Sequence, residues 1–150
     1  MSSPSLLAES VVGKYAYLLP VDIQKIISDN GILVDYVATG EEFNGMYMRY
    51  PSPLILINSR QSTARQRFTL AHELFHHLSG HGNGYSPCFS ISKDRTAEER
   101  KARKFAAHLL MPEQAIRSLM ALGLDKGKLL QAFLVSQEAL DIRLRELRIA

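Results

Sequence analysis

An α+β fold in one domain covering residues 1–150 is what the order of hydrophobic patterns predicts. Three observations carry this. Two apolar stretches of helical period come first; three short runs suited to strands follow, punctuated by Gly and Pro; and after Ser62 the pattern is helical apart from one Gly-rich break. Strands so close in sequence, joined by turns, call for a small, mostly antiparallel three-stranded sheet packed against helices. The chain has 150 residues, 46% apolar and 22% charged, which is enough to bury a proper core and does not resemble a disordered or fibrous protein.

The elements follow in order. Residues 6–19 are apolar and small, with Gly13 the weak point, and read as a first helix. Pro20 suits the start of a second, whose apolar face is Val21, Ile23, Ile26 and Ile27 and which Asn30-Gly31 stops. Residues 32–38 are short and β-branched, hence a strand. Thr39-Gly40-Glu41-Glu42 is a polar break before a second strand at residues 45–50. Pro51-Ser52-Pro53 excludes helix, and Leu54-Ile55-Leu56-Ile57 is apolar on both faces, as in a covered strand; an edge open to an extended peptide is the other reading of it. Ser62 or Thr63 can cap the next helix, which Ser79-Gly80-His81-Gly82-Asn83-Gly84 must end, leaving a loop as far as Asp94. Thr96, with Glu99 three residues on, has the form of a capping box for a helix reaching Met111. Pro112 opens a further helix that Gly123 closes, and residues 126–149 divide into two helices near Val135-Ser136.

Composition narrows the function classes. Cys88 is the sole cysteine, which excludes an intramolecular disulfide framework and thiolate-based structural zinc and favours a reducing, cytoplasmic setting. The N-terminal residues lack a basic segment followed by a long apolar run, and nowhere are eighteen consecutive residues apolar, so neither export nor membrane insertion is expected. A net charge of +3, from 18 basic and 15 acidic residues, is too slight to argue for nucleic acid as a partner. Oligomeric state has no signature in these residues.

The chemistry is concentrated in Arg67-Phe68-Thr69-Leu70-Ala71-His72-Glu73-Leu74-Phe75-His76-His77, which contains H-E-x-x-H. Four residues of α-helix advance about 400°, so His72 and His76 lie one above the other, where two imidazoles can grip one metal ion. Glu73 lies about 100° around from His72, beside such an ion, as a base that polarises water. Phe68, Ala71, Phe75 and Leu78 give the helix an apolar face, so the histidines are partly buried, and a metal would satisfy both.

Catalytic zinc takes three protein ligands and keeps one position open. Glu99 is the choice for the third, because it borders the inward face formed by Ala102, Ala106 and Leu110, whose small residues let two helices approach. Glu98 is turned toward Lys101 and Arg95 and reads as a solvated acid. Asp94 precedes the cap. The other reading of Glu99 is that it only completes the capping box.

Several ordered blocks, Leu19-Pro20-Val21-Asp22-Ile23, Ile55-Leu56-Ile57-Asn58, Arg67 through Leu74, and Glu99 with Ala102, Phe105-Ala106-Ala107 and Leu109-Leu110-Met111-Pro112, resemble the ImmA/IrrE family of metallo-endopeptidases over most of the chain. The resemblance implies a zincin-type helical bundle beside the sheet, and a gluzincin-like Zn2+ site with His72, His76 and Glu99 as ligands and Glu73 as general base. It further implies a bacterial or phage protein that cleaves a helix-turn-helix transcriptional repressor to control gene expression. Phe75 stands where many members carry glycine, and Arg103 where many carry asparagine.

The expected activity is therefore zinc-dependent hydrolysis of peptide bonds in a specific protein, with Tyr85 and His81 as candidate oxyanion stabilisers. The competing reading is a non-proteolytic regulator or antitoxin-like binding protein on the same fold. Lys93, Arg95, Arg100, Lys101, Arg103 and Lys104 cluster near the start of the Glu99 helix and read as a solvated face. His77 and His108 point away from the proposed ligands.

Overall fold

The computed structural model describes residues 3–15, 18–80 and 96–149, and the backbone of 85–89. Its α+β architecture is the one expected. Helices α1 (Pro4–Gly13) and α2 (Ile23–Asp29) precede strands β1 (Leu33–Val37), β2 (Phe43–Met48) and β3 (Leu54–Asn58). Helix α3 (Thr63–Ser79), strand β4 (Tyr85–Phe89) and helices α4 (Ala97–Leu110), α5 (Glu113–Ala121), α6 (Lys126–Phe133) and α7 (Gln137–Glu146) follow. Helix α1 stops at Gly13, earlier than its apolar run, because the backbone turns at Lys14.

The sheet contains the three expected strands and a fourth, in the order β1-β3-β2-β4. Two of its pairings are antiparallel, and β1 runs parallel to β3. The fourth strand lies where a loop was expected. It carries Pro87 in its middle and follows a Gly-rich break, so it has no strand pattern of its own; pairing with β2 defines it, and proline is tolerated there because the strand is at the edge. β3 is hydrogen-bonded on both sides and is thus the covered strand, not an edge for substrate. Its Ile55 and Ile57 are fully buried.

Helix α3 lies across β2 and β3 and packs against α4 on its other side. Leu70, Ala71 and Leu74 of α3 join Ile23, Ile26 and Ile27 of α2, Tyr47 of β2, and Ala102, Phe105, Ala106 and Leu109 of α4 in one core. The guanidinium of Arg67 donates to the carbonyl of Val21 at 2.9 Å, tying the start of α3 to the segment before α2. At the other end of the fold, Arg143 of α7 donates to the carbonyl of Met111 at 3.0 Å and holds α7 to the end of α4.

The contact between sheet and α3 depends on one missing side chain. A Cβ at Gly45 would stand 2.6 Å from the carbonyl oxygen of Leu56 and 2.7 Å from the methyl of Thr69 on α3. Neither neighbour can swing away, since one is backbone and the other is buried. Gly45→Ala should therefore destabilise the protein by about 2 kcal/mol, read as a lower urea midpoint at unchanged slope; a midpoint equal to wild type would show that α3 is not held this tightly to the sheet.

Candidate metal centre

Helix α3 begins where the Ser62 hydroxyl accepts from the backbone N–H of Arg65 at 3.2 Å, and ends at Gly80, whose φ of 65° is the left-handed conformation that glycine adopts without strain. The seventeen residues between place His72 and His76 on one face, with ring centroids 5.2 Å apart. That face is covered. His72 and His76 are 5% and 6% exposed, and Glu73 is fully buried.

Helix α4 starts at Thr96, whose hydroxyl accepts from the backbone N–H of Glu99 at 3.1 Å. Only that half of the capping box forms, because the Glu99 side chain is occupied elsewhere. Ala102 and Ala106 are fully buried and let α4 approach α3, while the Phe75 and Phe105 rings meet 5.5 Å apart and fill the space beside them. The bulk at Phe75 thus goes into the helix interface. One oxygen of Glu99 lies 3.0 Å from His72 Nε2 and the other 3.1 Å from His76 Nε2. Two histidines 27 and 23 positions before Glu99 so bring their ring nitrogens to a single carboxylate.

Glu73 stands on the other side of His72, with Oε1 3.4 Å from Nδ1 but without hydrogen-bond geometry. Both Glu73 oxygens are buried and have no hydrogen-bond partner among the described residues. A desolvated carboxylate in this state calls for positive charge. Burial alone would lower the His72 pKa, but the carboxylates of Glu73 and Glu99 outweigh it and hold the imidazolium up to about 9. Glu99 shows the converse: burial would raise its pKa, and His72 and His76 hold it well below the usual carboxylate range. A divalent ion held between these groups would meet the same demand for positive charge.

The donor set fits such an ion. Ligand atoms of His72, Glu73 and His76 lie within 4.8 Å of one another. Nitrogen and oxygen bound tetrahedrally at about 2.0–2.2 Å stand about 3.3 Å apart, so separations of 3.0 and 3.1 Å require little adjustment to admit one. Glu73 belongs to the 4.8 Å group, while Glu99 offers one oxygen to each Nε2 atom, at 3.0 and 3.1 Å.

Of the neighbouring residues, Glu98 turns outward to Lys101 at 3.6 Å. His77 shares a 2.8 Å hydrogen bond between its Nδ1 and the Tyr47 hydroxyl, its carbonyl accepts from Arg49 at 3.4 Å, and burial and then the Arg49 charge lower its pKa. Tyr47, 1% exposed on β2, is a supporting residue that motif spacing could not reveal, since it meets His77 across thirty positions. His108 faces away and contacts Arg143. The oxyanion candidates His81 and Tyr85 (its side chain) lie outside the described residues, as do Asp94, Lys93 and Arg95.

Two histidines one helical turn apart, a carboxylate from the next helix at both of them and a second buried carboxylate alongside make up the kind of centre found in metallopeptidases. The chain belongs to the peptidase family described as the IrrE N-terminal-like domain, which matches residues 31–145. Curated proteins show no match to it. Among the described residues no helix is long and apolar enough to cross a membrane.

Binding of an ion to the folded chain alone must stabilise it. Adding a divalent ion to chelator-treated protein at about 100 times its dissociation constant should raise the Tm by about 5–10 °C. An unchanged Tm, followed by differential scanning calorimetry, would contradict a site folded around an ion.

Proposed function

We propose that this protein is a zinc-dependent endopeptidase that cleaves one specific protein, a helix-turn-helix transcriptional repressor, and so controls gene expression. The observation that carries the catalytic part is the convergence of His72 Nε2 and His76 Nε2 on the Glu99 carboxylate, with the buried, unpartnered carboxylate of Glu73 beside them. Membership of the peptidase family supports a protein substrate. The choice of a repressor rests on the resemblance carried by the sequence blocks quoted above.

In this reading His72, His76 and Glu99 hold the ion. Two imidazoles and a carboxylate, with no thiolate, are the ligand set that suits catalytic zinc. When bound there, zinc supplies a Lewis acid that polarises a carbonyl and makes water acidic near neutral pH.

The residues of the chain do the rest. Glu73 accepts the proton of the attacking water and delivers it to the leaving amine. Tyr47 and Arg49 hold His77, and through it the last turn of α3, so that His76 keeps its orientation. Helix α4 supplies Glu99 from a cap that fixes its backbone N–H to Thr96.

The test pairs metal content with cleavage of a candidate repressor. Glu73→Gln should keep about one zinc per chain and lose cleavage by about 10²–10⁴-fold. Glu99→Ala should lose zinc, whereas Glu98→Ala should retain both zinc and activity. Cleavage undiminished in Glu73→Gln, or a metal-free wild type that binds operator DNA and cuts nothing, would overturn the reading in favour of a regulator that acts by contact.

A further inference from the structure

His108 lies nine positions after Glu99, half a turn of helix around, so it faces the opposite side of α4 from the metal centre. A cavity of about 910 Å³ opens there, with walls from α1, α5 and α7. At its floor is Arg143, whose side chain is only 2% exposed. Its Nε donates to the carbonyl of Met111 at 3.0 Å, and its Nη1 lies 3.0 Å from His108 Nε2. The Nη2 group makes no hydrogen bond among the described residues.

This guanidinium is poorly compensated. Its nearest carboxylate among the described residues is Glu146, at 3.9 Å and 43% exposed. A histidine nitrogen that accepts from a guanidinium carries no proton. Burial and then the Arg143 charge push the His108 pKa down to about 4, so His108 adds no charge of either sign at neutral pH. A buried arginine normally faces a carboxylate or phosphate, because leaving the charge unpaired is costly. Here it faces two neutral acceptors, the part-exposed Glu146 carboxylate at 3.9 Å and a cavity, with Glu113 the next negative charge that acts on it.

The rest of the wall suits the same class of ligand. Arg117 and Ser118 add donors. Helix α5 begins at the wall with Pro112 in the cap position and no side chain capping its first turn. The acids of the cavity, Glu9 and Glu113, are at the exposed mouth, and Glu113 is held by Arg117 at 2.9 Å. The volume is that of a small-molecule site.

We propose that this cavity is a second binding site, separate from the metal centre, for the carboxylate or phosphate group of a small molecule, with Arg143 Nη2 as its deepest donor. An occupant would brace α1, α5 and α7 against the back of α4, the helix that carries Glu99. The proposal stands on the cavity alone and does not require the chain to be a peptidase.

The experiment is thermal unfolding of the metal-loaded protein in inorganic phosphate, acetate or chloride at matched ionic strength. The expected result is a saturable rise in Tm of several degrees in phosphate, acetate or both, relative to chloride; a response to only one of them identifies the headgroup. His108→Glu places a carboxylate beside the guanidinium, and Arg117→Glu adds negative charge at the mouth without disturbing the core. Each should abolish the rise while leaving metal content unchanged, and Arg117→Glu serves if the His108 variant fails to fold. A Tm that follows ionic strength alike in all three salts overturns the proposal, as does a rise that survives in a folded variant of either kind, since the anion is then bound elsewhere.

Discussion

The structure depends on the way two helices share one carboxylate. His72, His76 and Glu73 are all but excluded from water on α3, and none of the three could be left there alone without a penalty of several kcal/mol. Glu99 reaches them from α4 with an oxygen for each Nε2 atom. For that reach the helices must be close, which is why α4 presents Ala102 and Ala106 to α3 and why the larger Phe75 and Phe105 are set to one side. Packing and polar chemistry are thus one constraint: the alanines set the helix separation, and the separation sets how Glu99 meets the two imidazoles.

The sheet serves the same end from the other face. Glycine at position 45 lets β2 lie against α3 at Thr69, and Tyr47, two residues on, reaches the end of the same helix through His77. Arg49 covers the Tyr47 ring at 5.7 Å and bonds the His77 carbonyl. Gly45 and Tyr47 of β2 and Arg49 just beyond its end therefore fix the position of α3 along its length. A helix held at its start by Arg67 and along its last turns by β2 has little freedom to rotate the histidines out of register.

Much of this was legible in the residues themselves, for physical reasons. The helical period puts His72 above His76 whatever surrounds them, and the Ser62 and Thr96 caps mark where α3 and α4 begin because an N-terminal N–H needs an acceptor wherever it occurs. The inward face of α4 could be read from its alanines, and with it the position of Glu99. What could not be read was set by distant partners. Strand β4 has proline at its centre and exists through pairing with β2; the parallel pairing of β1 with β3 depends on β1 crossing to its far side; Tyr47 meets His77, and His108 meets Arg143, over separations of 30 and 35 positions. No local pattern encodes contacts of that kind.

The central claim is that α3 and α4 together form a metal centre of two imidazoles and one carboxylate. X-ray absorption at the zinc edge of the purified, zinc-loaded protein tests it most directly. The account predicts a first shell of nitrogen and oxygen at about 2.0–2.2 Å, outer-shell scattering from two imidazole rings, and loss of one oxygen donor or of the metal itself when Glu99 is replaced by alanine. A spectrum without imidazole scattering, or one that is unchanged in the Glu99 variant, would contradict it.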